Sequence, residues 1–167
     1  MKISVLLTVM AVILGVPAFG AGYNDYIDAA KDGDAKAMFE LGFCYLKGDG
    51  VEQSEKEALV WFNKAAEKNY GHAECVIGLF YAFGRGGLPQ NDKEALKYFN
   101  KAAEKDIPEA YFNIGKFYAV GRGGLPPNEE KAKEWYLKAA AKDHAAAKTA
   151  WEKLNQPKET QDNRFGL

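Results

Sequence analysis

Beyond residue 20 the chain has no apolar run long enough to cross a bilayer, which takes about 20 residues. Neither charge is in excess: 22 basic residues face 23 acidic ones. That balance excludes the clustered, uncompensated Lys and Arg that a nucleic-acid surface requires. Nucleophiles are scarce. Past residue 20 the one serine is Ser54, and Ser54-Glu55-Lys56-Glu57 does not complete a Ser-x-x-Lys motif. The two histidines, His72 and His144, belong to no His-Glu-x-x-His spacing, and Cys-x-x-Cys is absent, so no zinc site and no cofactor is expected. Acids are plentiful but interspersed with lysines, so no glycosidase-type pair stands out. Catalysis needs a nucleophile or an acid–base pair held by partners, and none is assembled here.

The exception to the first absence is the front end. Lys2 precedes an apolar run over residues 3–16, followed by the small residues Ala18, Gly20 and Ala21. This is the composition of a secretory signal peptide, residues 1–20, cleavable after Ala18 or Gly20. No cysteine stands near the junction, so a lipoprotein anchor is not expected. The mature chain is expected in a periplasm or outside the cell, as one domain without a stable membrane span.

What is present is self-similarity. Gly42, Gly78 and Gly115 occupy one position of a repeat, and Tyr45, Tyr81 and Tyr118 another. Trp61, Tyr98 and Trp135 align as well, as do Ala65-Ala66, Ala102-Ala103 and Ala139-Ala140. The period of 36 or 37 residues signals stacked supersecondary elements, none able to bury its apolar face alone. In this register Cys75 lies five residues before the position of Cys44. On parallel helices that is about 7.5 Å along the axis, beyond the roughly 7 Å a disulfide tolerates. Two separate, packed thiols are expected.

Residues 37–47 are apolar or small at Ala37, Met38, Leu41, Gly42, Tyr45 and Leu46, the spacing of an amphipathic helix. Gly42 costs about 1 kcal/mol relative to Ala inside a helix, so its return as Gly78 and Gly115 predicts that two helices approach closely there. The clusters Gly48-Asp49-Gly50, Gly84-Arg85-Gly86-Gly87 and Gly121-Arg122-Gly123-Gly124 stop the first helices. No strand precedes them, so they are not phosphate-binding loops. Each second helix starts at a candidate N-cap, Ser54, Asn91 or Asn128, with Glu57 and Glu94 placed for capping boxes. Trp61, Tyr98 and Trp135 are expected to stack as the core spine. Lys64, Lys101 and Lys138, with Lys68, Lys105 and Lys142, form rows near helix C-termini, where the macrodipole favours cations. They read as a solvated face, with an electrostatic docking strip as the other reading. Half-repeats over residues 23–31 and 145–154 cap an array that spans 21–154, and residues 155–167 read as a disordered tail.

The pattern Ala37-x3-Leu41-Gly42-x2-Tyr45-x2-Gly48-x-Gly50-Val51, then Glu57-Ala58-x2-Trp61-Phe62-x-Lys64-Ala65-Ala66, resembles the Sel-one-like repeat (SLR) family, and it returns over residues 73–103 and 110–140. These repeats are similar to tetratricopeptide repeats with a longer Gly-rich link. The resemblance implies an all-α, right-handed α-solenoid of antiparallel helix pairs. It further implies a non-enzymatic role in protein–protein interaction in the bacterial envelope, as regulator, assembly factor or toxin-immunity protein. In such arrays the first helices line a concave groove, which holds a protein or peptide ligand. The groove positions that vary between copies are Phe39, Glu40, Phe43 and Lys47, then Val76, Leu79 and Phe83, then Asn113, Lys116 and Val120. Phe39 and Leu79 also read as core. Cysteine-rich members of the family staple each repeat with a Cys pair. The matching positions here, Ala66 with Glu74 and Ala103 with Tyr111, hold none. The alternative, a cell-wall-active enzyme of the β-lactamase-like cysteine-rich type, loses support from that departure.

Overall fold

The computed structural model describes residues 21–156, which form eight α-helices with no strand among them. Residues 1–20, where a signal peptide is expected, and the tail beyond residue 156 lie outside the described residues. The helices are α1 (Ala21–Lys31), α2 (Ala35–Lys47), α3 (Glu55–Glu67), α4 (Gly71–Phe83), α5 (Asp92–Ala103), α6 (Pro108–Val120), α7 (Glu129–Ala140) and α8 (Ala145–Asn155). Short links make sequence neighbours pair as antiparallel hairpins. Contacts divide the chain into two compact units, Met1–Ile107 and Pro108–Leu167, where the sequence suggests one domain. A repeat array touches itself mainly between neighbours, so a contact boundary can fall at a turn. In the first unit α1 packs on α2, α2 pairs with α3, α3 packs on α4, and α4 pairs with α5. In the second, α6 pairs with α7, and α8 packs on α7.

The local signals explain the helix ends. Ser54, Asn91 and Asn128 are N-caps, each accepting from the backbone N–H three residues on. The expected capping boxes do not close. The N–H groups of Ser54, Asn91 and Asn128 donate instead to the carbonyls of Tyr45, Tyr81 and Tyr118 at 2.9, 2.8 and 2.7 Å. Each second helix is thereby tied to its own first helix, and Glu57 and Glu94 have no open cap N–H to take. Gly84 ends α4 at φ 63°, a left-handed conformation that glycine adopts without strain, and its N–H donates to the Phe80 carbonyl. Between repeats the same conformation falls to Asn69, Asp106 and Asp143, at φ 65, 61 and 61°. Asn and Asp tolerate that conformation better than other side chains.

The core follows one rule in each complete repeat. The second helix presents Ala58, Phe62 and Ala65, or their counterparts Ala95, Phe99 and Ala102, or Ala132, Tyr136 and Ala139, and none is more than 5% exposed. The repeated glycine of the first helix lies on that ring. A Cβ at Gly42, Gly78 or Gly115 would come within 2.5, 2.6 and 2.6 Å of Phe62, Phe99 and Tyr136, so the close approach read from the glycines is found. The spine is not where the sequence suggests. Trp61, Tyr98 and Trp135 are only half-buried, because one residue is a 100° rotation on a helix and turns them to the hairpin edge. Burying each ring in the spine contributes roughly 1.5–3 kcal/mol.

Candidate partner-binding surface

On α2, residues 40, 43 and 47 follow i, i+3, i+7, and so do 76, 79 and 83 on α4 and 113, 116 and 120 on α6. That spacing puts each set on one side of its helix. In the first unit the α2 stripe begins in the core. The Phe39 ring lies 5.6 Å from Phe62 and 5.1 Å from Tyr70, and Phe43 lies 5.0 Å from Phe39 and 5.3 Å from Phe62. Both are half-buried, with one side against the core. Glu40 is half-buried beside them, and the exposed Lys47 places Nζ 5.7 Å from the Phe43 ring centroid. On α4, Val76 and Leu79 are half-buried, and Phe83 is 60% exposed. The first unit therefore offers an apolar strip on two helices with Glu40, Lys47 and the exposed ring of His72 at its edges.

The α6 stripe of the second unit differs. Asn113, a candidate recognition residue, is buried, and its side-chain amide donates to the Glu109 carbonyl at 2.8 Å. It serves the helix rather than an open face. Lys116 is exposed, with Nζ 5.5 Å from the Phe112 ring, and Val120 is 66% exposed. Phe112 stands in the register of Phe39 and meets His144 at 4.7 Å, as Phe39 meets Tyr70. His144 also accepts from the Ala147 N–H as the N-cap of α8.

Two contacts have no local signal in the sequence. Arg85 and Gly86 of the second Gly-rich link grip Glu55 at the start of α3: Arg85 Nη2 to Glu55 Oε1 is 2.5 Å, and the Gly86 N–H donates to Oε2 at 3.1 Å. These bonds hold the Glu55 carboxyl below its ordinary range, the guanidinium first and the Gly86 N–H next. Glu74, with a side chain only 7% exposed, accepts from Lys105 Nζ at 2.6 Å. The first lysine row folds onto aromatic rings, Lys64 over Trp61 at 3.8 Å, Lys101 over Tyr98 at 5.2 Å and Lys138 over Trp135 at 4.4 Å. An ammonium on a ring face is attracted to its quadrupole, so this row, exposed at all three positions as a solvated face would be, also covers part of the half-buried aromatics.

Among the described residues, neither Ser54 nor the two cysteines is set up as a nucleophile. The Ser54 hydroxyl accepts from the Glu57 N–H at 3.2 Å as a cap. Cys44 and Cys75 are both buried and not joined in a disulfide. Burial, then the Asp49 and Glu40 carboxylates, push the Cys44 thiol up, away from the reactive thiolate. Among the described residues no group of three or more His, Cys, Asp or Glu is placed to hold a metal ion, and no helix is long and apolar enough to cross a membrane.

Comparison with known proteins agrees with this geometry. A family model for the Sel1 repeat matches residues 35–70, 71–107 and 108–144. A Sel1 repeat protein from Oxalobacter formigenes is 36% identical, with 77% of this chain and 96% of that one covered and a TM-score of 0.68. A protective antigen present in uropathogenic Escherichia coli strains, displaying an SLR fold, is 32% identical with a TM-score of 0.71. The match takes in 78% of this chain and only 28% of that one. Cysteine rich protein B of Helicobacter pylori is 24% identical, with 78% and 98% covered and a TM-score of 0.60, a likeness of fold alone. A search of the curated proteins returned no match.

Proposed function

The chain belongs to the Sel1 repeat family, and on that premise we propose that it is a non-enzymatic scaffold, exported to the periplasm or beyond the cell, that holds a protein or peptide partner on its first-helix stripes. Sel1-repeat proteins are generally interaction scaffolds. The observation that carries the reading is the contrast between conserved core and changing surface within this one chain. Gly42, Gly78 and Gly115 all sit on a buried ring. The position just before the helix-ending glycine passes from Lys47 to Phe83 to Val120 and is exposed in all three. In the first unit that position extends an apolar strip outward, which suits an amphipathic segment anchored by a few apolar side chains within a polar rim. Export rests on the signal-like composition of residues 1–20.

The test is affinity capture from the native envelope with the wild-type protein and with Phe83→Ala. Phe83 is 60% exposed, so the substitution leaves folding intact and is expected to release the specific partner. Phe43→Ala is the stronger variant for binding, but its ring also rests on Phe62 and its loss costs stability. Retention of the same partners by a folded Phe83→Ala, Phe43→Ala double variant sinks the assignment. A secreted toxin among the partners identifies an immunity protein; a sensor or cell-wall assembly component identifies a regulator or assembly factor.

A further inference from the structure

Burial sorts the glutamates of the chain. Besides Glu40, those that are buried or half-buried among the described residues are Glu55, Glu74, Glu94 and Glu129, and each of them meets a cation. Arg85 holds Glu55, Lys105 Nζ lies 2.6 Å from Glu74, Lys97 Nζ 3.4 Å from Glu94 and Lys133 Nζ 3.3 Å from Glu129. Glu40 is the exception: among the described residues it has neither an ion pair nor a hydrogen bond. The lysines of its own helix do not supply one. Lys36, four residues before it, is exposed, and a lysine N-terminal to a glutamate is the weaker order for such a pair. Lys47, seven residues on, is exposed with its Nζ 5.7 Å from the Phe43 ring.

The unpaired carboxylate stands among apolar neighbours. Phe39 precedes it, Phe43 follows one turn later on the same side of α2, and the Phe39 ring lies 5.1 Å from Tyr70. After burial, the Glu40 charge is the next cause that pushes the Tyr70 hydroxyl up, so it acts on this ring cluster. The fold does not ask for a charge here. The aligned positions hold Val76, packed on the cluster around Ile77 and Phe80, and Asn113, satisfied by the Glu109 carbonyl. A carboxylate drawn partly out of water without a partner costs free energy, and a cation brought from outside would offset that cost.

We propose that the α2 and α4 strip selects a partner segment with an arginine beside its apolar anchors, and that this arginine pairs with Glu40. The inference rests on the strip being a binding surface, as proposed above, and names the chemistry of its occupant. Arginine fits better than lysine, because its fork meets a carboxylate with two hydrogen bonds while its flat face lies on an aromatic ring. Phe43 and Tyr70 supply half-buried rings to the same strip. Lys47 favours an acid two turns further along α2, so the two opposite charges set the direction in which the segment lies.

The test pans a random-peptide display library on the purified wild-type protein and on Glu40→Lys. Peptides from the wild type are expected to share an arginine next to apolar residues, and those from Glu40→Lys to share an acid instead. A selected peptide, made synthetically, should bind about tenfold more weakly to Glu40→Gln, and replacing its arginine by Gln should cost nothing further in that background. Glu40→Gln should melt no lower than the wild type, since no internal pair is lost. A clear loss of stability would show a partner within the chain and overturn the proposal. Peptides that depend on Phe83 but carry no basic residue, or that bind Glu40→Gln as well as the parent, overturn the charge pairing and leave the strip standing. No enrichment on the wild type, or peptides that bind Phe83→Ala unchanged, sinks the strip itself and the pairing with it.

Discussion

Replacing Gly78 by Ala sets two opposed effects against each other. Gly78 lies within α4 and not at positive φ, so Ala fits the backbone, and propensity alone would stabilise the helix by about 1 kcal/mol. The added methyl, however, would lie 2.6 Å from Cε1 and 2.7 Å from Cδ1 of Phe99, and 3.2 Å from the Ala95 carbonyl oxygen. Carbon atoms at rest are about 3.5–4.0 Å apart. Phe99 is at 0% exposure and has no room to swing, and Ala95 contributes backbone, so relief requires α4 and α5 to move apart. Overpacking costs about 1–3 kcal/mol, occasionally more, and two ring atoms plus a backbone oxygen put this site at the upper end. The expected net loss is about 2 kcal/mol, which lowers the melting temperature by roughly 4–8 °C for a chain of this length. Gly78→Leu should cost considerably more. The assay is thermal and urea unfolding by circular dichroism in a cycle with Phe99→Leu, whose differently shaped side chain gives the methyl room. The cycle should return a coupling of at least about 1 kcal/mol. A Gly78→Ala protein as stable as the wild type, or one equally destabilised in both backgrounds, would refute the ring-on-glycine account.

Three further expectations test the rest of the framework. Asn91→Ala should cost about 1 kcal/mol in urea unfolding, because Asn91 Oδ1 accepts from the Lys93 and Glu94 N–H groups. Glu94→Ala should cost much less, since the Asn91 N–H is already given to Tyr81; equal costs would restore the capping box. Lys105→Met should cost about 3 kcal/mol by leaving the Glu74 carboxylate charged and buried, and Glu74→Met added to it should recover most of the loss. A double variant no better than the single would show that charge balance is not what the pair supplies. Cys44 and Cys75, 5% and 3% exposed, should resist iodoacetamide in the native protein at mildly alkaline pH and both react in guanidinium chloride; rapid native labelling at either would contradict the packed placement.

Much of the fold was legible because it is written locally and repeated. The caps Ser54, Asn91 and Asn128, the glycine stops, and the glycines inside helices each act through their own backbone, and three copies make each signal visible against background. The errors lie one step beyond local information. Trp61 and Phe62 are both aromatic in their aligned copies, and the choice between them depends on which way the second helix is rotated. Gly42 implies a ring opposite it, but the alanines 58 and 65 lie three and four residues from both 61 and 62, so the spacing does not choose between the two rings. The capping boxes failed for a related reason. The cap N–H is claimed by the Tyr45-type carbonyl of the other helix of the hairpin, and no reading of Ser54 to Glu57 alone contains that acceptor. Glu55 with Arg85, and Glu74 with Lys105, pair across 30 and 31 residues of sequence, where only register in space brings them together.

The surface was legible in outline only, because variation between copies has two physical causes that look alike in sequence. Lys47, Phe83 and Val120 vary because the position faces outward and nothing in the fold constrains it, and their exposure agrees. Glu40, Val76 and Asn113 vary for the opposite reason. That position is partly closed by neighbouring helices, and each copy meets a different neighbour, so Asn113 is drawn in and satisfied by its own helix carbonyl while Val76 packs against the cluster around Ile77 and Phe80. Exposure at an aligned position, rather than variation alone, is therefore what separates a contact left open for another molecule from one closed within the chain.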